Sequence, residues 1–406
     1  MKDTLSKTIS NQRPGLSRQA SIWLIGAILI AFSAAASAPT PLYALYRETW
    51  GFSPALLTVV FSIYAGGLLL TLLVFGSLSD HIGRRPVIAA ALALQLVAMG
   101  LFLEAESVQM LIVARLLQGF ATGLATSVLG AALLDFDRER GPLLNSLTPM
   151  LGLALGALGS AALVQFSDAP LHRVFWVLAG LFALFAALLL RLPESISSKP
   201  GALASLRPRV RIPPQARRAF WSMAPLNASL WALGGFYLSL GPTLVRQVTG
   251  LHAPLVGGAL VFLLTGFGAL GIFALRQQEA SVILRRGGIA LILGLLLTLA
   301  GVDNSNSWLF FIGTAAAGLG FGGGFLGALR SVMPLAHAHE RGGLMAGFYL
   351  LSYLAFSLPA IVAGAASQRF GLLTTTNGYA CLLVMGAVLA LVFSRRARRM
   401  AMASAS

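Results

Sequence analysis

Apolar residues gather into twelve long runs separated by short polar gaps: roughly residues 21–46, 55–79, 87–104, 108–134, 143–166, 174–192, 219–245, 255–275, 287–302, 308–333, 344–367 and 378–394. Most reach the ~20 residues a helix needs to cross the ~30 Å hydrocarbon core of a bilayer. Lipid offers no partner to an unpaired backbone group, so each run is expected as a helix and the chain as an all-α membrane protein. The run 287–302 is short for a span. One gap differs from the others. Residues 193–218, PESISSKPGALASLRPRVRIPPQARR, hold five prolines and many Arg and Ser. Such a segment reads as a linker between two six-helix halves. The expected layout is a tail at 1–20, a bundle at 21–192, the linker, a second bundle at 219–394 and a tail at 395–406.

Composition agrees with the pattern. The 406 residues are 57% hydrophobic and 10% charged, with a mean hydropathy of +0.82. Soluble domains carry about 25% charged residues. The first run is too long for a signal-peptide core and is expected to be retained. Cys381 is the one cysteine, which excludes a disulfide framework and a cysteine-based metal cluster.

The net charge of +16 changes meaning once it is placed on this map. An even number of spans puts both termini on one side. Twenty-four Lys and Arg fall in polar segments of that side, and four (Arg47, Arg173, Arg246 and Arg369) on the other. This bias predicts cytoplasmic termini in a multi-pass protein of the plasma (inner) membrane. The basic charge thus carries topology, with the lipid bilayer and not nucleic acid as the partner.

The two halves correspond at a nearly fixed offset. ERGPL at 139–143 recurs as ERGGL at 340–344, and Arg84–Arg85 as Arg285–Arg286. Gly119 and Gly123 recur as Gly318 and Gly322, Pro41 as Pro242, and Pro54 as Pro254. Two parallel six-span repeats joined by a linker form a transporter architecture, with the substrate site near the midplane between them.

Between spans 2 and 3 the chain reads GSLSDHIGRRPV, residues 76–87. Gly76, Leu78, Asp80, Gly83, Arg84 and Arg85 match the Gly-x-Leu-x-Asp-x-x-Gly-Arg-Arg signature, and the chain resembles the major facilitator superfamily. RLLQG at 115–119 and GLALGALGSA at 152–161 resemble motifs of its fourth span and of the fifth span of its drug–proton antiporters. Ala157 stands where those antiporters have Pro. In physical terms Gly83 permits a tight reversal, Gly76 a close helix approach, and Arg84 and Arg85 hold the turn in the headgroup layer. Asp80 is an anion at a boundary that favours cations. The resemblance implies its partner: the N-terminus of span 11, where Arg341 also stands, in a latch expected to form only when the halves are closed on the cytoplasmic side and so to favour the outward-facing state. Asp135, closing span 4, is expected to take Arg84. The plainer reading is a charged turn that only fixes topology.

Span 4 carries Arg115, Gln118, Gly119, Thr122 and Thr126 on one helical face. A charge inside a membrane is costly and usually faces a cavity, so Arg115 is expected to line water; the alternative is a side chain that snorkels outward. The family fold implies that spans 1, 4, 7 and 10 line the cavity. They offer Ser33, Ser37 and Thr40; Asn227, Trp231 and Gly234; and Thr314, Gly318, Phe321 and Phe325, while span 11 adds Tyr349 and Tyr353. Helix packing is the plain alternative for each.

No Asp, Glu, Lys or His stands near the middle of any run, and no nucleophile–base pair, phosphate-binding motif or metal-ligand spacing occurs. We therefore expect no enzyme, cofactor or metal. A mildly polar cavity with aromatic walls suits neutral, amphipathic or weakly charged small molecules. The resemblance implies secondary transport by alternating access, as proton-coupled efflux by a monomer. A facilitator or symporter for a sugar-like or other small polar metabolite is the alternative within the class. A non-transporting sensor or scaffold is the alternative outside it, and an appended soluble domain would favour it.

Overall fold

A computed structural model of the chain describes residues 15–337 and 339–403, with side chains described to Ser394. The tail residues Lys2, Lys7 and Arg13 lie outside that range, as do the side chains of Arg395, Arg396, Arg398 and Arg399. Among the described residues every regular element is a helix. Eleven are long and apolar enough to cross a membrane, and one bent pair supplies the twelfth span.

The spans are Arg18–Ser37, Pro54–Phe75, Arg84–Leu103, Val108–Phe136, Gly141–Phe166, Pro170–Leu189, the pair Pro214–Ser239 with Gly241–Thr249, Pro254–Leu275, Ala280–Asp303, Ser307–Val332, Arg341–Phe370 and Leu372–Ala403. They are numbered 1 to 12 in that order. Local sequence explains several starts. Ser17, Ser53, Ser107 and Asn306 each accept a hydrogen bond from a backbone N–H of the first turn they precede. Pro54, Pro170 and Pro254 open their helices, where a missing N–H is harmless. Span 12 continues as helix to Ala403, through most of the expected tail.

Two of the apolar runs are not single straight helices. In span 1 the helix stops at Ser37 and resumes as Tyr43–Trp50. In span 7 it stops at Ser239 and resumes at Gly241 with a 69° bend. Pro39 and Pro41 at the first break, and Pro242 at the second, supply no N–H to the preceding turn. Hydropathy runs straight through both breaks because lipophilic side chains continue across them. The repeated prolines Pro41 and Pro242 mark them.

The first half has its own buried core and the second half another. They meet where span 2 packs on span 11 and span 5 on span 8. A methyl group at Gly364 would collide with the side chain of Thr58, and one at Gly258 with Ala157 and Ala161, so these contacts are tight. The described bonds between the halves gather at the side away from the linker, here the distal side. Thr40 Oγ1 donates to Leu238 O at 3.1 Å, Ser62 Oγ to Ser357 O at 3.3 Å, and Leu255 N to Gln165 Oε1 at 3.2 Å. Glu48 and Arg246 approach to 3.6 Å. Thr40 lies in the break of span 1 and Leu238 at the end of the helix before the break of span 7, so one bend is tied to the other.

At the opposite side the linker spans the gap. Ser77 Oγ donates to Ser205 O and Lys199 N to His81 O on the first half, and Arg211 N donates to Gly343 O at the start of span 11.

Candidate functional site

The break in span 1 strips the last turn of that helix of its usual N–H donors, and its carbonyls need other partners. Span 4 provides them. Arg115 Nη1 donates to Ala36 O at 3.1 Å, and Gln118 Nε2 to Ala35 O at 2.8 Å. Arg115 Nη1 also reaches Gln118 Oε1 at 2.6 Å, and Thr122 Oγ1 donates to Gln118 O at 2.8 Å. Ser160 of span 5 donates to Ala38 O at 2.6 Å, and Ser37 to Leu153 O at 2.9 Å. The positive guanidinium thus sits at the negative end of a helix dipole, a favourable place for a cation.

Arg115 is 0% exposed. Its Cζ lies 4.3 Å from the Tyr64 ring centroid and 5.9 Å from that of Phe61. This corrects the expectation of a water-lining Arg115: it neither lines an open cavity nor snorkels, but plugs the break. Its Nε and Nη2 have no hydrogen-bond partner, and neither have the hydroxyls of the neighbouring Tyr43 and Tyr46. Gln118, Thr122, Ser33 and Ser37 are buried with it, and the Ser33 hydroxyl bonds its own helix at Leu29 O.

Thr126, one turn farther toward the linker side, is half-buried. It shares that accessibility with Trp231 of span 7, Phe325 of span 10 and Tyr349 of span 11. These aromatic groups belong to one cluster. The Trp231 ring lies 4.8 Å from Tyr353, 5.9 Å from Phe356 and 6.2 Å from Phe325, all edge-on. Phe356 in turn meets Phe61 of the first half at 4.9 Å, and Tyr349 lies 6.1 Å from Tyr353. Phe321 is buried against Gly234 behind this wall. Asn227 donates from Nδ2 to Ser352 Oγ at 2.8 Å, and its buried Oδ1 has no partner. Thr314 is not in the cavity wall; it is 0% exposed and bonds the Tyr237 hydroxyl at 3.1 Å.

The turn between spans 2 and 3 is a second polar centre. Gly83 takes φ 101° and ψ 158°, a conformation that essentially requires glycine. Arg84 follows it and is 7% exposed, so it is buried and not held in the headgroup layer. Its Nε donates to Asp135 Oδ2 at 2.9 Å, and its Nη1 to Asp80 Oδ1 at 2.5 Å and Ser79 Oγ at 2.7 Å. Glu194 of the linker accepts from the backbone N–H of Arg84 at 2.8 Å and of Arg85 at 2.9 Å. That carboxylate caps the start of span 3. Ser195 adds a bond to Asp135 at 2.9 Å, and Arg85 Nη2 reaches Leu190 O at 3.2 Å. Leu78 packs on the first-half core.

With the distal side closed, Asp80 pairs with Arg84, while Arg341 is exposed and donates from Nε to Ala336 O at 3.4 Å; the expected contact of Asp80 with the start of span 11 belongs to the state closed on the linker side. One expectation fails here. Gly76 does not seat a neighbouring helix; a Cβ there would meet Leu72 O of its own helix. On this side the linker, and not span 11, bonds the turn.

With this geometry in view, comparison with known proteins is decisive for the family. The model of the Major Facilitator Superfamily matches residues 23–302. The chain belongs to the major facilitator superfamily. Among curated relatives, the multidrug resistance protein MdtL of Shigella flexneri serotype 5b (strain 8401) is 28% identical over 256 residues, 59% of this chain and 64% of that protein. MdtL of Escherichia coli O139:H28 is 28% identical over 207 residues, 49% of this chain and 51% of that protein. The chain thus matches between about half and two thirds of these relatives' length. Solved superfamily structures share the fold. A bacterial homologue of the human lysosomal transporter Spinster superposes with TM-score 0.70 at 15% identity, covering 93% of this chain and 97% of its own. The human organic anion transporter MFSD10 gives 0.68 at 18%, with 92% and 100% covered.

For this superfamily member, the stripe on span 4 and the signature turn could both be found in the sequence. Glu194, Ser195, Ser160 and Tyr43 could not. Glu194 and Ser195 stand in the linker with no periodicity to link them to a turn 110 residues earlier. Ser160 and Tyr43 matter because of the break in span 1.

Proposed function

We propose that this protein exports neutral, amphipathic or weakly charged small molecules, by alternating access coupled to protons. The observation that carries the substrate class is the aromatic cluster of half-buried Trp231, Phe325 and Tyr349 with the buried Tyr353, which meets the first half through Phe356 and Phe61. Edge-on aromatic groups with a few hydroxyls bind flat or amphipathic molecules through area and polarisable contact, without a fixed charge. A multiply cationic substrate would need acids there, and none stands near the middle of a span. Outward direction rests on similarity to the MdtL proteins, whose names describe multidrug resistance. For proton coupling the titratable groups are Asp80 and Asp135 at the linker side.

The basic bias of the loops supports a cytoplasmic linker and cytoplasmic termini, and the bonds at the distal side then close the outward mouth. Uptake into proteoliposomes across a panel of small molecules, with and without an imposed pH gradient, tests this reading. We expect apolar and amphipathic compounds to move when the gradient is applied and Trp231→Ala to weaken their transport. Gradient-independent movement of a polar metabolite would replace it with the facilitator reading, which the unpartnered Oδ1 of Asn227 favours.

A further inference from the structure

The distal face carries a cavity that neither the aromatic wall nor the signature turn uses. It has a volume of about 370 Å³ and is lined by Ala44, Arg47 and Glu48 from the first half and by Thr243, Arg246, Gln247 and His252 from the second. Its charged members are related by the internal repeat. At an offset of 199, Arg47 corresponds to Arg246, and Glu48 to Gln247. Two guanidinium groups therefore face a shared space while the repeat supplies one carboxylate in place of two. Glu48 lies 3.6 Å from Arg246. Arg47 is half-buried, close enough to Arg246 for repulsion, and its described bond is a long one from Nε to Phe52 O at 3.5 Å.

We propose that this cavity binds a small oxyanion, a carboxylate or phosphate group, between Arg47 and Arg246. A planar guanidinium is suited to two-point recognition of such a group, and the bound anion supplies the charge that Gln247 does not. The walls come from both halves, so the cavity exists only while the distal side is closed. A ligand that binds one state of a two-state protein favours that state by mass action. Occupancy therefore holds the distal side shut and slows the transport cycle. Glu48 competes with the anion for the same cations.

The test uses purified full-length protein in which Cys381→Ser removes the native thiol and Ser62→Cys places a probe in the distal contact between spans 2 and 11. Alkylation of that probe is followed while inorganic phosphate or acetate is titrated at constant ionic strength with chloride. Alkylation should become about tenfold slower at ten times the dissociation constant of the binding anion. Slowing by phosphate alone or acetate alone identifies which oxyanion the site takes. Arg47→Gln should weaken the anion about tenfold or more, as loss of a charged hydrogen-bonding partner does. Glu48→Gln should strengthen it, a gain that misfolding cannot produce. The proposal is overturned if neither anion slows alkylation more than chloride does, or if Arg47→Gln and Glu48→Gln leave the titration unchanged.

Discussion

The turn at 76–85 and the turn at 277–286 occupy the same place in the two halves, and both carry a pair of arginines. In the first, Gly83 stops the preceding short helix and span 3 begins at Arg84. In the second, Leu284 stands at the Gly83 position, is buried, and lets the helix begin at Ala280 and run through Arg285 and Arg286. This also explains why the apolar run 287–302 looked short: its first turns carry the charges. The first turn surrounds Arg84 with Asp80 and Asp135, and Glu194 caps its helix. The second has Ser281 in place of Asp80, and Arg286 reaches Gln278 at 2.9 Å. Both halves carry the basic pair, Arg84–Arg85 and Arg285–Arg286. Asp80, Gly83 and Asp135 have no like residue at the matching positions, which hold Ser281, Leu284 and Ala336, and the acid of the second turn, Glu279, stands two residues before Ser281.

The spans beside these turns differ in the same way. Where span 1 breaks, a buried cation covers the freed carbonyls; at the equivalent place of the second half, offset 199, Arg115 is replaced by Thr314. Arg115→Ala should therefore have the largest effect. It leaves Ala36 O without a donor in a dry interior and should cost about 2–4 kcal/mol, lowering both the folded yield in detergent and the transport rate. Thr314→Ala should cost about 1 kcal/mol. Equal losses in a thermal-unfolding comparison would mean that the two breaks are held alike.

Exchanging the glycine comes next. Gly83→Leu copies the second half into the first, but at φ 101° a side chain is strained by about 1–3 kcal/mol and meets the Glu194 carboxylate. Transport should fall sharply while insertion persists. The reverse exchange, Leu284→Gly, should reduce stability but not switch the turnover rate. Smaller again is Glu194→Ala, which uncaps span 3 and should cost about 1 kcal/mol; a stability unchanged in denaturant titration would show that water replaces this carboxylate fully.

The bundle and its internal repeat were legible because hydropathy reports lipid contact directly. The signature turn and the stripe of Arg115, Gln118 and Thr122 were legible as well. What those residues touch was not. Arg115 bonds backbone carbonyls that exist as acceptors only because the chain breaks after Ser37, and apolar side chains hide that break.

We propose that the first turn is a latch whose contacts change with the side that is closed. Arg84 is held by two carboxylates, and Asp80, the more exposed, is the one that can leave. On this proposal Asp80 exchanges Arg84 for Arg341 and the start of span 11 when the linker side closes, while Asp135 keeps Arg84 paired. The exchange trades contacts worth ~0.2–1 kcal/mol each, small enough to be reversible in each cycle. Asp80→Asn should thus leave insertion intact, slow turnover several-fold and raise the linker-side accessibility of a probe at Thr126. The equivalent change on the second half, Ser281→Asn, should do none of these.

The most direct test is paired cross-linking in proteoliposomes, on a Cys381→Ser background. One variant carries Ser62→Cys with Ser357→Cys across the distal contact, another Asp80→Cys with Arg341→Cys across the linker side, and a third carries all four. An exchanging latch predicts that each pair cross-links under turnover, that either link stops transport, and that no single molecule forms both. Both links in one molecule, or an Asp80→Cys, Arg341→Cys pair that never forms while the distal pair does, would contradict the account.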